Sequence, residues 1–393
     1  MTQRLAAWTQ HTQRSALQDM LEITSGPEYI SFGLGLPNAA CFPTEQLALS
    51  ANEVLLRQSN PLQYAPSFEP LKRQIQELMS RRGVTCSTSQ IFLTAGAQQG
   101  IQLLARLLLD PGGTVMTEEV TYTGFLQILE PFQPRILTVP TDPVTGIDVD
   151  RLETILQKEE RPACLYVIPS GHNPLGYTLS REKRQRLARL AAEYEVPLIE
   201  DDPYGFLAYD DLELPAVKSF QSDGVYYVGS FSKILAPGLR LGWIVADEAI
   251  IEKLSIVKEA ADINTATLTQ RIAADFLAKD AFELHLRHLL LEYKSRRDCM
   301  LEHLSAQLDG IGAWTTPSNG MFIWVRLPAH LDAMTLFQES IATEKVTFFP
   351  GNVFAAGQNG NASSSFRLNF SFNDPGKIEE GVARLSRLVK RHL

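Results

Sequence analysis

The sequence predicts an α/β protein whose large domain holds a mostly parallel, seven-stranded sheet, with a smaller α+β domain attached. Three observations carry that expectation. Between residues 91 and 245, short β-rich runs alternate with stretches of helical periodicity, the pattern of a parallel sheet covered on both faces. Beyond about residue 308 the texture changes to isolated strands separated by helices. The composition, 45% hydrophobic and 21% charged over 393 residues, is that of a globular chain long enough for more than one domain.

The candidate strands, in order, are Ile91–Thr94, Thr114–Thr117, Arg135–Val139, Ala163–Ile168, Pro197–Glu200, Val225–Gly229 and Leu241–Val245. Between them, AQQGIQLLARLLL from Ala97 and REKRQRLARLAAEYE from Arg181 space their apolar residues as helices do. A long helical region runs from about Lys253 to Leu308. GMFIWVRLP and SSFRLNFSF then read as strands, with helices near Met334–Thr343 and Pro375–Lys390. The expected division is an N-terminal arm with part of the small domain at 1–50, a large domain at 51–284 and a C-terminal small domain at 285–393.

Composition also excludes function classes. With 36 Lys+Arg against 45 Asp+Glu the net charge is −9, so nucleic acid and anionic membrane are not expected partners. Four scattered cysteines show no CxxC pair or metal-ligand spacing and read as reduced thiols of a cytoplasmic protein. The N-terminus lacks the apolar core of a signal peptide, and no apolar run is long enough to span a bilayer.

Open α/β sheets bind ligands beyond the carboxyl ends of their strands, so the residues that follow each strand test for function. Lys233 follows a strand in SFSKILAPGLRLGW, among Ser230 and Ser232, with Arg240 close behind. Burial there lowers an ammonium pKa and makes the amine nucleophilic toward an aldehyde, while the hydroxyls and the guanidinium fork suit a phosphate. Alone, a surface lysine in a turn is the commoner occurrence. Asp201 ends a central apolar strand, where a carboxylate needs a cationic partner; capping of the next turn is the plain alternative. Asn173 and Tyr204 offer neutral donors to a phenolate oxygen, although Asn-Pro is also a simple turn signal. Ala97 and Gln98 open a helix whose free N–H groups favour an anion. Tyr122 presents a flat ring for stacking. Pyridoxal 5′-phosphate uses all of these groups at once: an amine, an acid for the ring nitrogen, phenolate donors, a stacking face and a phosphate cup.

These motifs, GSFSKILAPGLRLGW with NPLG, EDDPYG, GAQQ and NGMFIW, make the chain resemble the fold-type I, class I/II pyridoxal-phosphate-dependent aminotransferases. Within that group it resembles the 2-aminoadipate (LysN-like) and MocR-like branches. The resemblance runs from Phe32 to the FRLNFSF segment. It implies that Lys233 is the Schiff-base lysine and proton carrier, that Asp201 keeps the pyridinium protonated, and that Asn173 and Tyr204 hold the phenolic oxygen. Tyr122 would stack on the ring, and the phosphate would lie on the backbone of Ala97 and Gln98 with Ser230, Ser232 and Arg240. Arg367 matches the arginine that forks onto the substrate carboxylate. Tyr64 matches a tyrosine that reaches the phosphate of the neighbouring subunit, which implies a homodimer. Gly35 lies in GLGLP, which matches a mobile segment closing over the substrate.

Departures bear on the substrate. Gln18 stands where aminoadipate-type relatives carry an arginine for a side-chain carboxylate. Ala97 replaces a phosphate-cup serine, the segment after Tyr64 is shorter, and Asn319-Gly320 replaces a double glycine. His172 precedes Asn173 in a loop expected to face the pocket, so Gln18, His172 and Asn319 are taken as substrate-binding candidates. An α-amino-acid aminotransferase with a 2-oxo acid co-substrate is the first expectation, with a substrate other than a simple dicarboxylate. The second is elimination, replacement or cyclisation, for example of a hydroxylated guanidino amino acid. Glu118 and Glu119 fit such a cationic substrate, or are solvated loop charges. A ligand-sensing domain comes third, because no helix-turn-helix module precedes the motifs.

Overall fold

Seven strands form the central sheet of the computed structural model, which describes residues 6–10, 26, 28–158, 161–210, 214–357 and 362–393. They are β1 (Ile91–Thr94), β2 (Thr114–Glu118), β3 (Arg135–Val139), β4 (Cys164–Val167), β5 (Leu198–Asp201), β6 (Val225–Ser230) and β7 (Gly242–Val245). Their order across the sheet is β1-β7-β6-β5-β4-β2-β3. Only β7 runs antiparallel to its neighbours. Each matches an expected strand to within two residues. β4, β5 and β6 are buried along their whole length; β4 (CLYV) reads as a continuous apolar run, whereas β5 (LIED) ends on two buried carboxyl groups, Glu200 and Asp201.

A second sheet of four antiparallel strands orders as β8-β9-β11-β10, from β8 (Ala313–Trp314), β9 (Phe322–Arg326), β10 (Phe349–Pro350) and β11 (Ser365–Asn369). Residues near the start of the chain join this part of the fold. Ile30–Ser31 pairs in parallel with Val346–Thr347, and the Asn369 N–H donates to the Phe32 carbonyl at 2.7 Å.

The helical stretch beyond Lys253 is three helices rather than one. They are α1 (Glu248–Asp262), α2 (Thr267–Leu277) and α3 (Ala281–Leu308). Ile263 stands at positive φ after α1, and Ala278 caps α2. The expected boundary at 284/285 falls inside α3, and the one at 50/51 falls inside the helix Thr44–Arg57. Among the described residues, no helix is long and apolar enough to cross a membrane, and no cluster of His, Cys, Asp or Glu could hold a metal ion. Three of the four cysteines are buried and none is paired.

Candidate active site

The ends of β1, β4, β5 and β6 converge on one cavity of about 350 Å³. Its lining includes Asp201, Ser230, Ser232 and Lys233, together with Tyr122, Asn173, Tyr204, Ala97, Gln98, Arg240, Gly35 and Arg367. Twelve residues expected from sequence are thus brought together.

Lys233 follows β6 directly and donates to the Gly35 carbonyl at 2.7 Å. Desolvation lowers its pKa to about 8, with the positive charges of Arg367 and Arg240 acting in the same direction. Lys233 lines the cavity, and burial is the first cause of its shift. An amine near neutrality is what attack on an aldehyde needs.

Asp201 ends β5 at 3% exposure. Its Oδ2 accepts from the Tyr166 hydroxyl at 2.6 Å, while its Oδ1 is buried without a partner. Burial raises this carboxyl to about 7; the Tyr166 bond opposes the shift and nearby Asp202 adds to it. A buried acceptor left unpaired is costly, and a protonated ring nitrogen would satisfy it. That orphaned oxygen is the observation by which the residues fit pyridoxal phosphate.

The helix Ala97–Leu108 opens on Gly96, at φ 90 and with no side-chain cap. Its first N–H groups are therefore free for an anion. A Cβ on Gly96 would stand 2.8 Å from the Arg240 guanidinium, so glycine is needed for that approach. Arg240 donates to the Ala95 carbonyl at 2.8 Å. Gln98 is pinned to the Gly124 carbonyl at 3.0 Å. Tyr122, whose ring folds over Gly124, is pushed up to about 12, chiefly by burial and then by the Asp201 charge. Burial likewise raises Tyr204, keeping it a neutral donor beside Asn173.

Arg367 on β11 donates from Nη1 to Asn173 Oδ1 at 2.6 Å and from Nη2 to the Gly33 carbonyl. Its guanidinium carbon lies 4.2 Å from the Phe322 ring centre and 4.9 Å from both Phe349 and Phe354. Burial in this aromatic box lowers its pKa to about 10, and Nε has no partner. The three phenylalanines were not singled out from sequence; their scatter along the chain hides a box that only folding assembles.

Other candidates sit elsewhere. Tyr64 is 72% exposed and is not among the cavity-lining residues of its own chain. Gln18 lies outside the described residues. His172 does not face the pocket: it is fully buried behind it, stacked on Tyr177 with ring centres 4.5 Å apart. Asn319 is also absent from the cavity lining. Its Oδ1 accepts from Thr178 and Ser318 at 3.2 and 3.1 Å, and Gly320 stands at positive φ with no room for a Cβ against the Gly171 backbone. Glu118 is neither a solvated charge nor a cavity group; it is fully buried at the end of β2 and accepts from the Tyr177 hydroxyl. Sequence reasoning also missed the pair of Arg82 and Asp202, 2.8 Å apart and sealed from solvent behind Asp201.

Comparison with known proteins agrees with this geometry. The family model for aminotransferase class I and II matches residues 33–385. An aromatic-amino-acid aminotransferase of Thermococcus litoralis is 35% identical over 389 residues, spanning 96% of this chain and 92% of the relative. The crystal structure of LysN, the α-aminoadipate aminotransferase of Thermus thermophilus complexed with N-(5′-phosphopyridoxyl)-L-leucine, is 34% identical with a TM-score of 0.90, covering 98% and 97% of the two chains. A kynurenine aminotransferase of Pyrococcus horikoshii, solved with PMP, is 33% identical with a TM-score of 0.92, covering 99% and 97%. The chain belongs to the class I and II aminotransferases, pyridoxal-phosphate enzymes of fold type I.

Proposed function

We propose that the protein moves the amino group of an α-amino acid with a neutral, largely apolar side chain to a 2-oxo acid, by a ping-pong mechanism. The reading is carried by one juxtaposition: the partly deprotonated Lys233 amine and the orphaned Asp201 Oδ1 face the same cavity. Pyridoxal phosphate supplies the aldehyde that captures the amino group and the ring that accepts electrons when the Cα–H bond breaks.

The chain's residues do the rest. Asp201 holds a proton on the ring nitrogen. Asn173 and Tyr204 present their donors to the phenolic oxygen, and Tyr122 covers the ring face. The N-terminus of the helix at Ala97 and Gln98, with Ser230, Ser232 and Arg240, takes the phosphate. The Lys233 amine, partly neutral in the cavity, would accept and return the proton of the substrate Cα. Arg367 forks onto the substrate carboxylate, its orientation set by Asn173 and the Gly33 carbonyl. Gly35, which holds the Lys233 amine, belongs to the segment over the substrate.

Substrate class follows from what remains of the lining. Lys233, Arg240 and Arg367 are the cations among the described lining residues, and each already has a task. No fourth one is there for a side-chain carboxylate. Asp201 is the carboxylate among them, so a guanidino side chain finds no counter-charge, which disfavours the cyclising alternative. Leu36, Phe349 and Phe354 leave apolar surface beside Arg367. Tyr64, exposed on its own chain, supports a homodimer in which it reaches the partner's phosphate. The unpaired cysteines support a cytoplasmic protein.

Single-turnover spectroscopy tests the reading. The loaded enzyme is mixed with leucine or phenylalanine, without keto acid. Stoichiometric conversion to the pyridoxamine form, reversed by one equivalent of a 2-oxo acid, is expected. Turnover past one equivalent with no keto acid overturns transamination. In Lys233→Ala the visible band of the loaded enzyme should vanish.

A further inference from the structure

Residues 171–177 form a closed loop that carries Asn173 into the active site. The His172 N–H donates to the Tyr177 carbonyl at 2.8 Å, and the Gly176 N–H donates to the His172 carbonyl at 2.7 Å. Nothing in that backbone clasp fixes the loop to the sheet. The side chains at its two ends do. The His172 and Tyr177 rings stack 4.5 Å apart at 14°, and both meet one carboxylate, Glu118, which is itself fully buried at the end of β2.

Glu118 Oε1 accepts from the Tyr177 hydroxyl. His172 Nδ1 accepts from the Leu175 N–H at 3.2 Å, which assigns the ring proton to Nε2. That nitrogen stands 3.0 Å from Glu118 Oε2, at ion-pair distance although not aligned as a hydrogen bond. Each carboxylate oxygen therefore faces a donor from a different end of the loop. Only a group with two acceptors can do this; an amide presents one acceptor and one donor.

The backbone that follows Glu118 meets the wall around Arg367. The Ala356 N–H donates to the Glu119 carbonyl at 2.8 Å, and two residues on the Thr121 N–H donates to the Phe354 carbonyl at 2.9 Å. Phe354 is one wall of the aromatic box around Arg367, and Asn173 is the side-chain acceptor that orients its Nη1.

From this arrangement we infer that Glu118 is a positioning residue: by clamping His172 and Tyr177 to the end of β2 it fixes Asn173, and through Asn173 the fork of Arg367. It touches neither cofactor nor substrate. This rests on the proposed roles of Asn173 and Arg367, and the experiment separates the two.

The test is a double-mutant cycle on the full, pyridoxal-phosphate-loaded chain, with Glu118→Gln, Asn173→Ala and the double variant. Contacting residues that act through one another are non-additive. Glu118→Gln should lower kcat/KM by more than about threefold, mostly through KM for the amino acid, and move the visible spectrum at fixed pH in the direction of Asn173→Ala. On the Asn173→Ala background the further loss should stay within about threefold. A Glu118→Gln enzyme within threefold of wild type overturns the inference, as does a loss repeated in full on the Asn173→Ala background. Should Glu118→Gln not fold, Tyr177→Phe removes one of the two donors and runs the same cycle with the same thresholds. Retention of the visible band in Lys233→Ala would overturn the site assignment itself, independently of Glu118.

Discussion

Replacing Asp201 with asparagine should stabilise the cofactor-free protein and damage the loaded enzyme. The carboxyl sits at 3% exposure with its pKa raised to about 7 from an ordinary 3.8, burial being the principal cause. Its folded pKa lies above its unfolded one, so the native state binds the proton more tightly. Stability therefore falls as pH rises from about 4 toward 7 and levels off above that window. At 1.36 kcal/mol per unit the whole shift is worth about 4 kcal/mol, and the part lying between pH 5 and pH 8 about 2–3 kcal/mol. Asparagine keeps an oxygen for the Tyr166 hydroxyl and never ionises. Denaturant melts of the apoproteins at pH 5 and pH 8 read the effect, because other titrating groups cancel between the two chains. The asparagine variant should gain on wild type by about 2–3 kcal/mol over that interval. With cofactor bound the order reverses, since the ionised carboxylate then has a cationic ring nitrogen, and both cofactor affinity and kcat should drop in the variant. A stability difference that does not grow from pH 5 to pH 8 would refute the buried carboxylate with one unpaired oxygen on which the site assignment rests.

Further outcomes follow from neighbouring groups. Arg367→Ala should raise KM for amino acids by roughly 10- to 150-fold, the worth of a charged hydrogen-bonded contact of ~1.5–3 kcal/mol; Arg367→Lys should recover little, because an ammonium cannot form the fork. An unchanged KM would place the carboxylate elsewhere. With its pKa lowered to about 8 by burial, the Lys233 amine becomes neutral as pH rises through 8. The rate at which apoenzyme captures pyridoxal phosphate should climb with pH and flatten beyond that point, as stopped-flow absorbance would show. Arg82→Met leaves the buried Asp202 without its ion-pair partner, and should destabilise the fold by about 3–5 kcal/mol in a denaturant melt. Tyr64→Phe should weaken cofactor retention only in dimers, so mixing it with Lys233→Ala chains in equal amounts should give hybrids with one complete site and measurable activity.

Much of the fold was legible along the chain. The strands of the central sheet are short buried runs set between helical stretches, and each lies within two residues of its expected place because both burial and periodicity are local properties of sequence. The cofactor groups were legible for a related reason. Strand ends in an open sheet face one crevice, so Asp201, Ser230 and Lys233 could be assigned to it from their place after a strand. The long helical region was not resolved into three pieces, since Ile263 at positive φ ends the first and Ala278 caps the second while still in the right-handed helical region, with no glycine or proline to mark either break.

What sequence could not decide was which polar residues face the cavity and which support it from behind. His172 is next to Asn173, yet a closed loop turns one ring into the interior and the other side chain into the site. Glu118 read equally well as a substrate partner or a surface charge, and is instead a buried clamp. Asn319 looked like a specificity change and is an acceptor for the Thr178 and Ser318 hydroxyls. The aromatic box around Arg367 draws Phe322, Phe349 and Phe354 from separate segments that only the small sheet brings together. By itself the sequence determined the class of chemistry, because a lysine, an acid and a phosphate cup must each follow a strand. The tertiary structure decided the surroundings that tune that chemistry, because burial, the unpaired Asp201 oxygen and the facing of each side chain arise from packing between residues far apart in the chain.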